Sequence, residues 1–154
     1  MMVAKLIIFS IRSLISLLLG VAHVYFVILC FGFIATINPV QLWIVDSETL
    51  RGSALLWLSI MDLVLHLLLA IPVTIALLYL QTQLRRYHLC LVAIPILGFG
   101  CYSLWQLFSH RHELSLTYLS YINTLLPAFA LLLVGFLALK HFSHIKPAAA
   151  SVRL

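Results

Sequence analysis

Apolar residues dominate the chain in four long runs, broken by short polar stretches, at about 13–36, 55–79, 89–108 and 117–139. Each run approaches or exceeds the roughly 20 residues that a helix needs to cross the hydrocarbon of a bilayer. None alternates with a period of two, and each is about twice as long as a barrel strand, so strands are excluded. The pattern predicts an all-α integral membrane protein: a single transmembrane domain over residues 1–154, folded as a four-helix bundle. Short connections predict that successive helices pack antiparallel. No internal repeat, low-complexity tract or soluble domain interrupts this plan.

The first run extends from Leu6 to Ile37 with Arg12 as its only charge. That far exceeds the roughly 7–15-residue core of a secretory signal, and no small-x-small cleavage site follows, so a retained helix is expected. Lys5, Arg12, Arg85, Arg86, Lys140, Lys146 and Arg153 flank one set of helix ends, whereas Arg51 and Arg111 alone flank the other. The bias predicts that both termini lie in the cytoplasm. In the first outer connection, Trp43 is expected along the interface, and Asp46 or Ser47 is expected to cap the second span.

Composition agrees with this class. Of 154 residues, 64% are hydrophobic and 8% charged, and the mean hydropathy is +1.18. A soluble domain carries about a quarter charged residues, so lipid is the expected main solvent and a partner in its own right. The net charge of +5 favours anionic lipid at the cytoplasmic face. It does not imply nucleic acid, because the basic residues sit at scattered span ends and form no recognition element. Cys30, Cys90 and Cys101 are distant from one another and contain no CxxC, so neither a disulfide framework nor a dithiol centre is expected.

The polar residues inside the runs carry the functional expectations. His23 falls near the middle of the first span, and Asp62 and His66 sit four apart in the second, on one helix face. Tyr102 and Gln106 fall in the outer half of the third span, and Ser120 and Asn123 in that of the fourth. The inner halves contain nothing ionisable except Tyr79 and Cys90 near their ends. Polar side chains in membranes turn inward and pair, which predicts a cluster of His23, Asp62, His66, Tyr102, Gln106 and Asn123, open to the outside above an apolar floor. A continuous pore or proton wire requires polar lining throughout and is disfavoured. Either a binding site for a ligand or partner, or structural polar glue, fits equally.

Other chemistries have less behind them. His23 and His66 at like depth allow bis-histidine haem ligation, with Gly20 the only nearby glycine to admit a porphyrin. His110, His112 and Glu113 form a weak metal candidate; Arg111 between them adds competing charge. No GxSxG, HExxH, P-loop or dinucleotide motif is present, and no catalytic residue is assigned. Pro72, Pro95 and Pro127 introduce possible bends, and no glycine pair has GxxxG spacing. The layout resembles that of many small bacterial inner-membrane proteins. The expectation is a non-enzymatic accessory or binding protein, alone or as a homo-oligomer; a redox or transport subunit using His23, Asp62 and His66 is the alternative.

Overall fold

A computed structural model describes residues 2–37, 43, 53–81, 83–110 and 118–142. It contains four long helices: α1 (Met2–Ile37), α2 (Ala54–Leu80), α3 (Arg85–Ser109) and α4 (Tyr118–Phe142). Each is long and apolar enough to cross a membrane. Large apolar side chains, such as Leu18, Leu29, Ile71, Ile94, Phe129 and Leu137, remain exposed on all four. Among the described residues no further layer covers them.

Successive helices are antiparallel, but of the successive pairs only α3 and α4 pack extensively. α2 packs most extensively on α4, α1 on α3, and α3 on α4; the α1–α2 contact is smaller and α2–α3 slight. Ser16 meets His88 and Ser13 meets Tyr87, while Phe9 stacks on Tyr87. These contacts set α1 and α3 side by side and parallel. The small residues that permit close approach lie between α1 and α3 and between α3 and α4. A Cβ at Gly20 would collide with the Val92 carbonyl oxygen and touch the Pro95 ring, and one at Gly135 would meet Leu89 at 2.5 Å. Bare backbone at such positions is how apolar helices gain dispersion contacts in lipid, where no hydrophobic drive operates between them.

The inward stripes follow from helical spacing. On α1 the buried positions are Ser16, Gly20, His23 and Val27, stepping four, three and four residues, as an apolar seam between helices requires. Ala70, Val73 and Leu77 of α2 meet Leu89, Val92, Ala93 and Ile96 of α3 and Ala128 and Leu131 of α4 in one core. The helices continue through Pro72, Pro95 and Pro127.

This core occupies only one half of the bundle. Over residues 28–33, 53–65, 101–110 and 120–126, no described side chain is buried. These segments share one end of the bundle, and Lys5, Arg12, Arg85, Arg86 and Lys140 mark the other. The molecule thus has a closed basic half and a loosely packed opposite half. α2 begins at Ala54 with Ser53 at its N-cap position and no side-chain cap bond. The helix starts well past Asp46 and Ser47, which lie outside the described residues, so neither stands at its N-cap. Trp43 is exposed.

Candidate functional site

The border between the two halves carries the histidines. His23 and His66 are buried, at 1% and 6% exposure, and the Nδ1 of each has no hydrogen-bond partner. The His66 ring stacks on Phe31, with centroids 4.3 Å apart and planes inclined by 16°. Above them, Asn123 of α4 donates from Nδ2 to Ser59 Oγ of α2 at 3.1 Å, while its Oδ1 is buried and unpartnered. Asp62, one turn from Ser59 and one from His66, is half-buried.

This arrangement revises the expected cluster. No hydrogen bond or ion pair joins Asp62 to His66 or to His23. The imidazole of His66 is held by an aromatic ring, and the carboxylate is tolerated because its half of the bundle is not closely packed. Tyr102 and Gln106 do not enter the cluster either. Both are exposed, and Gln106 Nε2 donates to Tyr102 Oη at 2.9 Å on the outward face of α3. With Trp105 and Phe108, also exposed, they have the composition of an interfacial aromatic belt, where amphipathic rings favour headgroup depth. His23, Ser59, Asp62, His66 and Asn123 thus define the candidate site on α1, α2 and α4.

For metal or cofactor binding, His110 caps the end of α3 through its own Nδ1 and the Gln106 carbonyl, 3.0 Å apart. His112 and Glu113 lie outside the described residues. Among the described residues no group of three or more His, Cys, Asp or Glu side chains is placed to hold a metal ion. Gly20, considered as room for a porphyrin, is instead filled by the α3 backbone.

A second polar group lies at the basic end, where the sequence predicts an apolar floor. Ser16, Gln81 and His88 are buried there. Ser16 Oγ donates to the Arg12 carbonyl (3.1 Å) and is 2.9 Å from His88 Nδ1. Gln81 Nε2 donates to both the Arg12 carbonyl (3.1 Å) and Ser16 Oγ (3.2 Å). Arg85 Nε donates to the Gln81 carbonyl at 2.9 Å, covering the C-terminal end of α2, where free carbonyls favour a cation. The floor is therefore corrected: α3 begins at Arg85 and not near Leu89, which carries His88 inside the helix and into the interface. The stretch QTQLRRYH reads locally as a plain polar turn. Only the seven-residue reach from Gln81 to His88, matched to Ser16 on α1, hints at more.

Compared with known proteins, the chain matches no protein-family model, no curated protein and no solved structure.

Proposed function

We propose that this chain is a non-enzymatic, multi-pass accessory protein of a cytoplasmic membrane, bacterial in layout and with both termini in the cytosol. In this reading its loosely packed half receives a partner transmembrane segment bearing polar side chains. The supporting observation is the group of unused hydrogen-bonding atoms at and just above its border: Nδ1 of His23 and His66 and Oδ1 of Asn123 are buried without partners beside a half-buried Asp62, whereas Thr74 Oγ1 and Gln81 Oε1 are the unpartnered buried atoms of the closed half among the described residues. Buried polar atoms left unpaired are costly, and in lipid the available partner is another helix. The basic bias of one end supports the orientation.

A photo-crosslinking residue at Ile122, exposed beside Asn123, tests the reading in membranes of living cells. A discrete adduct is expected there, absent from Leu137 on the closed half and lost in Asp62→Leu. The mass of the adduct tells a second copy of the chain from a different protein. Equal labelling at both positions, or an adduct indifferent to Asp62→Leu, would overturn the proposal. The two free imidazole nitrogens also support a redox or transport subunit; a Soret band in the purified protein would favour haem between His23 and His66, and a colourless sample removes it.

A further inference from the structure

At the basic end α1 runs past the turn that joins α2 to α3. Its 36 residues measure about 54 Å at 1.5 Å per residue, against roughly 30 Å of hydrocarbon. Tilts of up to about 40° do not absorb that excess. Residues 3–11 are all exposed, and this overhang carries Lys5 and Arg12, seven apart on one helix face. The same face lines a cavity of about 450 Å³, together with Ile8, Phe9, Gln83, Leu84 and His88. The volume lies in the range of small-molecule sites.

Every charged group in that lining is cationic. Asp62, the one acid among the described residues, does not line the cavity. Leu84 stands at the N-cap of α3 with no side-chain cap bond, so the first amides of that helix are free to meet negative charge. His88 supplies an independent sign of a ligand. It is 1% exposed and lines the cavity, its Nδ1 is committed to Ser16, and no hydrogen bond among the described residues uses its Nε2. Ser16 has one proton to share between the Arg12 carbonyl and His88 Nδ1. When that proton goes to Nδ1, Nε2 carries the ring hydrogen and donates toward the cavity.

We propose that this cavity holds the phosphate of an anionic phospholipid headgroup. Lys5, Arg12, His88 and the start of α3 contact the phosphate, and Ile8, Phe9 and Leu84 lie against the glycerol and first acyl carbons. The apolar wall, continuous with the exposed Leu6, Ile7 and Ile11 of α1, is what selects a lipid over a free anion.

Titrating the purified full-length protein in neutral detergent with phosphatidylglycerol and, separately, phosphatidylcholine tests this. Phosphatidylglycerol is expected to bind more tightly. A basic residue near a lipid surface contributes enough for about a fivefold loss with Lys5→Gln or Arg12→Gln and about 30-fold with both. Lys140→Gln, at the same end but outside the cavity, should change nothing. Leu84→Asp keeps both cations of α1, adds a carboxylate to the wall from the exposed turn, and should weaken phosphatidylglycerol binding too. Equal affinity for the two lipids overturns the proposal, as does a Lys140→Gln loss matching the double variant. Displacement of phosphatidylglycerol by low-millimolar inorganic phosphate overturns it as well, assigning the site to a soluble anion.

Discussion

The two halves of this bundle solve the problem of polar atoms in an apolar setting in opposite ways. In the basic half, Ser16, Gln81 and His88 are buried and joined to one another, and the helices around them meet closely enough that Gly20 has no room for a side chain. In the opposite half no described side chain is buried, the Asn123–Ser59 bond and the Phe108–Tyr121 ring contact are among the side-chain links between helices, and Asp62 has no hydrogen bond. A polar group is thus accommodated either by bonds to its neighbours, with Gln81 Oε1 and Thr74 Oγ1 still left unpartnered, or by open surroundings. The first arrangement gives rigidity; the second gives a surface still able to bind.

Substitutions can break this contrast, beginning with the largest effect. Gly20→Leu places a branched side chain against the Val92 carbonyl and should destabilise the fold by about 3 kcal/mol, near the top of the usual overpacking range, as read by loss of helicity in a detergent-to-dodecyl-sulfate titration. Ser16→Ala removes the atom shared by Gln81 and His88 and leaves both underbonded in the core. Its expected cost in the same titration is about 2 kcal/mol; a negligible change would show that the knot contributes nothing. A gain is expected at Leu84, whose φ of 50° lies in the left-handed region. Leu84→Gly relieves a side-chain penalty of about 1 kcal/mol, raising the unfolding midpoint. Asn123→Ala should be the mildest, about 0.6 kcal/mol, the average for a polar contact between membrane helices. If Asn123→Ala instead costs as much as Ser16→Ala, the two halves are equally packed and the contrast fails.

Much of the architecture is legible in the sequence, because the length of an apolar run is a direct physical requirement of crossing lipid. The four runs at 13–36, 55–79, 89–108 and 117–139 all correspond to helices. The helices extend beyond them mostly at the basic end, where long cationic side chains and capping bonds such as that of Arg85 to the Gln81 carbonyl carry regular backbone past the last apolar residue. The burial of His23 and His66 is legible too, since both lie deep in a run. The lateral arrangement is not, because a nearly uniform apolar helix presents no single preferred face: nothing local states that α1 rests on α3. For the same reason Tyr102 and Gln106 cannot be assigned inward or outward by depth alone. Ser16, Gln81 and His88 are each unremarkable in isolation and become a unit only through the parallel pairing of α1 with α3.

That pairing has a consequence for biogenesis. The tight turn joins α2 to α3, yet these two helices scarcely touch, so the hairpin that leaves the ribosome second and third in order buries little by itself. α3 finds its first large contact on the earlier α1, and α2 must wait for the later α4. A nascent chain halted before Tyr118 would therefore have α3 docked and α2 still adrift, open to proteolysis until α4 emerges.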